Sequence, residues 1–131
     1  MDTVMITEIT GQDFDEQVLK SELPVFACFV AQWCHSCFPT CLLADELAEK
    51  YQGKVKFVKI NAEKSPEISD RYHIVALPAI ILFQDSQPVK KLLGYQERTS
   101  LRDLLDALLA ERQTLTITLD QGNGKTRRQP K

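Results

Sequence analysis

Four cysteines of this 131-residue chain lie within one stretch, CFVAQWCHSCFPTC, at residues 28–41. Cys34 and Cys37 enclose His35 and Ser36 in a C-x-x-C pattern. On a helix start, two such residues lie on one side a turn apart, close enough to close a disulfide with little backbone change. Cys34 directly follows an apolar run and is expected to begin that helix. Backbone N–H groups without partners and the positive end of the helix dipole would meet its thiol there and favour ionisation. The pair therefore suits thiol–disulfide exchange. His35, as a cation, would stabilise a neighbouring thiolate further, and Ser36 can donate a hydrogen bond to sulfur. Two other uses of the cluster stay open. Cys34, Cys37 and Cys41 are three potential ligands of a zinc or iron–sulfur site, although the second pair that such sites commonly use is absent. Cys28 and Cys41 read as small buried thiols or, alternatively, as a second redox pair.

The elements that must position these residues follow from periodicity. Val4–Ile9 reads as a short strand. Thr10 and Asp13 are N-cap candidates for a short helix carrying Phe14 and Val18. Val25–Ala31 is apolar at every position, which suits a strand buried on both faces of an α/β sheet. Ala44, Leu47, Ala48 and Tyr51 mark one face of a helix that Gly53 can stop. Lys54–Ile60 alternates as a strand, and Ser65-Pro66 opens a short helix to about Tyr72. Ala79–Phe83 and Val89–Leu93 read as antiparallel neighbours joined by the turn DSQP. A helix starting near Thr99 carries Leu101, Leu104, Leu105, Leu108 and Leu109 as one stripe. Beyond it, TLTITLD alternates like a half-buried strand. The order implies a mixed α/β sheet with helices on both faces and right-handed parallel crossovers.

Composition bounds the rest. Hydrophobic residues make up 44% and charged residues 26% of the chain, which is normal for a soluble domain able to bury a core without disulfides. The N-terminal residues lack the pattern of a signal peptide, and no apolar run is long enough to span a bilayer. The expectation is a cytoplasmic protein with no membrane association, in a compartment where paired thiols act catalytically or bind metal rather than staple. Residues 121–131 hold four cations and no acid, against 12 cations and 18 acids in residues 1–120. They read as a solvated basic tail, with no nucleic-acid partner expected.

These residues resemble the thioredoxin family. FVAQWCHSC is similar to its strand followed by W-C-x-x-C. VALPAIILF is similar to the stretch whose cis-proline, here Pro78, faces the cysteine pair. KLLGYQERTSLRDLLDALL is similar to its last strand, glycine and terminal helix. The resemblance covers about residues 4–110 and implies a thioredoxin-like domain over 1–110. Residues 111–131 are then a C-terminal extension. It further implies that Cys34 is the attacking thiolate and Cys37 the resolving thiol. Trp33, Ala76, Leu77, Pro78 and Gly94 would line the substrate groove. Lys59 stands where the family often carries a lysine. The implied activity is thiol–disulfide oxidoreduction on protein or small-molecule disulfides. It would be recharged by a reductase or dithiol partner, and no metal or other cofactor is called for.

The chain departs from the family pattern in four places. His-Ser replaces the usual Gly-Pro, which tends toward a more oxidising pair. The family's buried aspartate falls at Cys28, whose thiol would be neutral at pH 7 and a poor base for Cys37, leaving Lys59 and water to take over. The helix-kinking proline aligns with Leu42, while Pro39 comes three residues earlier and is expected to distort the first helical turn. A usual tryptophan is missing at Val30. An alternative function is a thioredoxin-fold adapter that binds through its groove or its C-terminal extension. A monomer is expected, with weak dimerisation through the exposed TLTITL strand as the route to a pair.

Overall fold

Side-chain alternation along β2 (Val25–Val30) sets the layering. Successive strand residues face opposite sides of a sheet, and all six residues of β2 are buried, so both of its faces are covered. The structure is a computed structural model and describes residues 6–120, with side chains to residue 111. Its chain divides into a unit ending at Gln96 and a second beginning at Glu97.

In the first unit β2 is joined by β1 (Thr7–Ile9), β3 (Lys56–Asn61), β4 (Ala79–Gln84) and β5 (Gln87–Leu93) in the order β1-β3-β2-β4-β5. β1, β3 and β2 are parallel, whereas β4 runs antiparallel to both β2 and β5. The mixed α/β sheet read from the sequence is therefore present. The β4–β5 turn is shorter than expected. Only Asp85 and Ser86 form it, both with positive φ (53° and 71°), the backbone pattern whose twist matches a two-residue hairpin. Gln87 and Pro88, assigned to the turn from sequence, belong to β5. Pro88 is tolerated because β5 is a sheet edge, where a missing N–H need not break the ladder.

The buried centre of one sheet face is apolar, while Lys56 and Lys91 on that face donate to Gln17 and to the Tyr72 and His73 carbonyls at its margin. Ile9, Ala27, Phe29, Val58, Ile81 and Phe83 form a single cluster with Phe14 and Val18 of the segment around a π-helical turn (Asp15–Leu19) and with Ile68 of α2 (Pro66–Arg71). Phe14, Tyr72 and Phe83 meet with ring centroids 5.3–5.7 Å apart, two of the three pairs edge-on, the arrangement aromatic quadrupoles favour. Ser65 precedes α2 as expected, but its hydroxyl makes no cap; Pro66 in the first turn removes a donor that would otherwise need one.

The opposite face mixes chemistry into the packing. Phe26 stacks on Phe57 at 4.7 Å. Beside them Glu8, Lys59, Cys28 and Ile80 lie in register across four strands. Helix α1 (Cys37–Lys50) covers this face, with Leu43, Ala44, Leu47 and Ala48 buried and Cys41 hydrogen-bonded to Cys28. Gly53, at φ +83°, lets the chain reverse after α1 toward β3.

The second unit contains α3 (Arg98–Asp120), on which Leu101, Leu105 and Leu108 are buried. The strand read over residues 115–119 is not formed, because these residues continue α3. No glycine or proline lies between Gly94 and Gly122. Extending an existing helix adds a hydrogen bond per residue without new nucleation, whereas a strand needs a partner. The start of the first expected strand, Val4 and Met5, and the basic tail over 121–131 lie outside the described residues.

Candidate redox site

Beyond Val30 the chain winds through tight turns into α1. The Cys34 N–H donates to the Ala31 carbonyl at 3.2 Å, the Cys37 N–H to the Cys34 carbonyl at 3.2 Å, and the Phe38 N–H to the His35 carbonyl at 3.3 Å. Helix α1 thus begins at Cys37 rather than at Cys34. The three-residue hydrogen bonds of Cys34 and His35 tighten the approach before the helical repeat sets in. Pro39 does not disturb the start either. It is the third residue of α1, where a backbone N–H has no intrahelical acceptor to lose. The Thr40 hydroxyl adds a bond to the Ser36 carbonyl at 3.1 Å.

Cys34 and Cys37 are joined as a disulfide with Cα atoms 5.3 Å apart, inside the span a disulfide requires. The two sulfurs differ in access: Cys37 is only 3% exposed, whereas Cys34 is half-buried. The Ser36 hydroxyl lies 3.7 Å from the Cys34 sulfur, and His35 is exposed beside them.

Both sulfurs open into a cleft of about 280 Å³ that Lys59, Cys41, Glu8 and Phe38 also line. Behind it stands Cys28, fully buried on β2. The Cys28–Cys41 hydrogen bond, followed by burial, raises the Cys28 thiol well above its ordinary pKa, against the pull of the Lys59 charge. Cys28 therefore stays protonated at neutral pH, in keeping with the poor base expected from sequence. The same hydrogen bond lowers Cys41 to about 7, and Lys59 adds to the effect. Partial burial and the carboxylates of Asp45 and Glu8 oppose it. Sequence reasoning left Cys41 as a metal ligand, an inert thiol or half of a redox pair. Its four-residue spacing from Cys37 was the available signal that it faces the same cleft.

A second cavity, of about 250 Å³, lies among Trp33, Ala76, Leu77, Val75 and Ala62. Trp33 is 61% exposed, an unusual setting for a large indole. Pro78 is buried, and the Leu77–Pro78 peptide is cis. The Gly94 N–H donates to the Pro78 carbonyl at 2.7 Å, at a backbone φ of +86° that favours glycine. The structure thus brings Trp33, Ala76 and Leu77 to one cavity and ties Pro78 to Gly94. Lys59, Cys34 and Cys37 share the other cleft. Among the described residues no group of three or more His, Cys, Asp or Glu is placed to hold a metal ion. No helix among them is long and apolar enough to cross a membrane.

Comparison with known proteins agrees with this geometry. The Thioredoxin family pattern matches residues 5–107. Thioredoxin 1 of Nostoc sp. is 33% identical over 99 residues, covering 76% of this chain and 92% of the relative. Thioredoxin of Synechocystis sp. is 35% identical over 102 residues (78% and 95%), and that of Rickettsia felis 34% over 102 (78% and 97%). The disulfide between strand and helix, the mixed sheet that carries it and these matches lead to one conclusion: the chain belongs to the thioredoxin family, a thiol–disulfide oxidoreductase whose redox pair is Cys34–Cys37.

Proposed function

We propose that Cys34 is the attacking thiolate and Cys37 the resolving thiol in exchange with disulfide-bearing proteins or small molecules. The observation that carries this reading is the unequal access to one disulfide: Cys34 is half-buried and Cys37 only 3% exposed. An incoming sulfur reaches Cys34 first. In the reduced protein the Cys34 thiolate lies just ahead of the N-terminus of α1, where the helix dipole favours negative charge. It attacks the substrate disulfide to form a mixed disulfide. Cys37, one turn away, then displaces the substrate and closes the internal bond.

Trp33, Ala76 and Leu77 form the apolar part of the substrate groove, with Pro78 and Gly94 behind them. Their support is the shared cavity beside Trp33 and the Pro78–Gly94 hydrogen bond. Lys59, Ser36, His35 and Cys28 tune the pair. Lys59 lines the cleft with both sulfurs, Ser36 lies near Cys34, His35 is exposed next to it and Cys28 carries a neutral thiol behind the cleft. A reductase or dithiol partner recharges the dithiol. The setting is cytoplasmic and the protein acts as a monomer; what supports the first is that a paired-cysteine motif in a reducing compartment serves chemistry rather than stapling. Disulfide reduction by the Cys34→Ser variant tests the assignment. Loss of turnover by a factor on the order of 10³ or more is expected for a missing nucleophile, and full retention would overturn it.

A further inference from the structure

The face of the sheet under α1 carries a second pair of sulfurs that the exchange at Cys34–Cys37 does not use. Cys28 comes from the centre of β2 and Cys41 from the second turn of α1, yet each is the other's hydrogen-bond partner. An inert buried thiol needs only apolar neighbours. Here two thiols from different elements meet, and one of them, Cys41, is half-buried and lines the same cleft as Cys34, Cys37 and Lys59. Lys59 is the in-register neighbour of Cys28 on β3, so a cation stands beside the pair.

We propose that Cys28 and Cys41 form a second dithiol–disulfide couple that exchanges internally with Cys34–Cys37. The inference rests on the reading of Cys34–Cys37 as the exchange pair. The Cys41 thiolate attacks the Cys37 sulfur, one helical turn earlier, forming a Cys41–Cys37 bond while the Cys34–Cys37 bond breaks. Cys34 leaves as a thiolate and takes a proton from water, replacing the one that Cys41 gave up. Cys28 then attacks the Cys41 sulfur, and the Cys28–Cys41 bond forms as Cys37 departs with the Cys28 proton. Two electrons pass from the Cys28–Cys41 dithiol to the Cys34–Cys37 disulfide, and no outside oxidant or reductant takes part. Closing the Cys28–Cys41 bond requires the two neighbouring sulfurs to approach to about 2 Å. The i, i+4 spacing of Cys37 and Cys41 puts their Cβ atoms about 5–6 Å apart, so the intermediate requires slight unwinding of the first turn of α1. Fully reduced, the chain would carry two pairs of electrons and re-reduce its exposed pair without docking a partner.

The test is oxidation of the full chain in glutathione–glutathione disulfide buffers, followed by acid quench, alkylation under denaturing conditions and mass mapping of the bridges. The wild type is expected to lose two thiols and then four, with a Cys28–Cys41 linked peptide in the second step. The double variant Cys34→Ser, Cys37→Ser should form the same bridge at least about tenfold more slowly, because the internal relay is gone. Cys28 and Cys41 staying alkylatable at every ratio while Cys34–Cys37 oxidises would overturn the second couple and leave the proposed function standing. Equal rates of Cys28–Cys41 oxidation in the two proteins would overturn the internal exchange. A Cys34–Cys37 pair that never oxidises in the wild type would remove the proposed function and the relay with it. The mapping of the wild type decides the first point even if the double variant does not fold.

Discussion

The two faces of the sheet use the same strands in different ways. On the face under the π-helical turn and α2, the buried cluster is apolar, Phe14, Tyr72 and Phe83 interlock, and the lysines Lys56 and Lys91 stay at its margin. On the face under α1, the same alternation brings up Glu8, Lys59 and Cys28 in one row, and Cys41 descends onto it from the helix. The first face holds the fold together by dispersion and burial. The second gives up part of that uniformity to place titratable groups behind a disulfide. A strand of period two can serve both ends because each face is specified by alternate residues.

The difference can be broken most sharply from the apolar side. Phe83 is 1% exposed and in ring contact with both Phe14 and Tyr72. Phe83→Ala should cost about 3–5 kcal/mol of stability, read by denaturant unfolding. The Cys34–Cys37 redox potential, measured well below the lowered midpoint, should stay unchanged. A shifted potential would show that the faces are not independent.

Changes on the sulfur side should act in the opposite sense, weakly on stability and clearly on ionisation. Cys28→Ala removes the main cause that lowers Cys41. Roughly 1 kcal/mol of stability should be lost. The Cys41 pKa should climb from about 7 toward the ordinary thiol value of 9.0, as followed by ultraviolet thiolate absorbance of the protein with its Cys34–Cys37 disulfide closed. Lys59→Met removes a smaller lowering influence and should raise the Cys41 pKa by less. A larger rise than in Cys28→Ala would mean that charge, not the thiol–thiol hydrogen bond, controls the pair.

The smallest effect is on stability against pH. With the Cys34–Cys37 disulfide closed, Cys41 loses its proton near pH 7 when folded and near 9 when unfolded. Between these values the unfolded chain holds more protons, so stability should rise with pH and the gain should fade as pH falls through about 7. Above 9 the sign reverses, because folded Cys28 keeps a proton that the unfolded chain releases. Partial exposure of Cys41 screens the first effect. Thermal melts of wild type and of Cys41→Ser, both with Cys34–Cys37 closed, should diverge in that order across this range, and parallel curves would contradict the assigned shift.

Much of this was legible in the residues. The apolar run of β2, the stripe of Ala44, Leu47, Ala48 and Tyr51, and the C-x-x-C between them each carry a local period or a spacing. The misreadings share a cause, since each depends on what a segment meets. The residue pattern places the helix start at Cys34, but the tight turns that hold it become visible only with the backbone path from Ala31 to Phe38. TLTITL alternates like a strand, yet it continues the helix already running through α3, where each added residue gains a hydrogen bond without new nucleation. The Cys28–Cys41 contact depends on which face of β2 is covered by α1, and no period along either segment encodes that choice.

The central claim is the division of labour within Cys34–Cys37, and the most direct measurement is trapping with Cys37→Ser. The reduced variant is mixed with a disulfide-bonded protein, quenched in acid and mapped by mass. A stable mixed disulfide on Cys34 is expected, with Cys28 and Cys41 unmodified by the substrate. Substrate attached through Cys41 in place of Cys34, or no adduct while turnover continues, would contradict it.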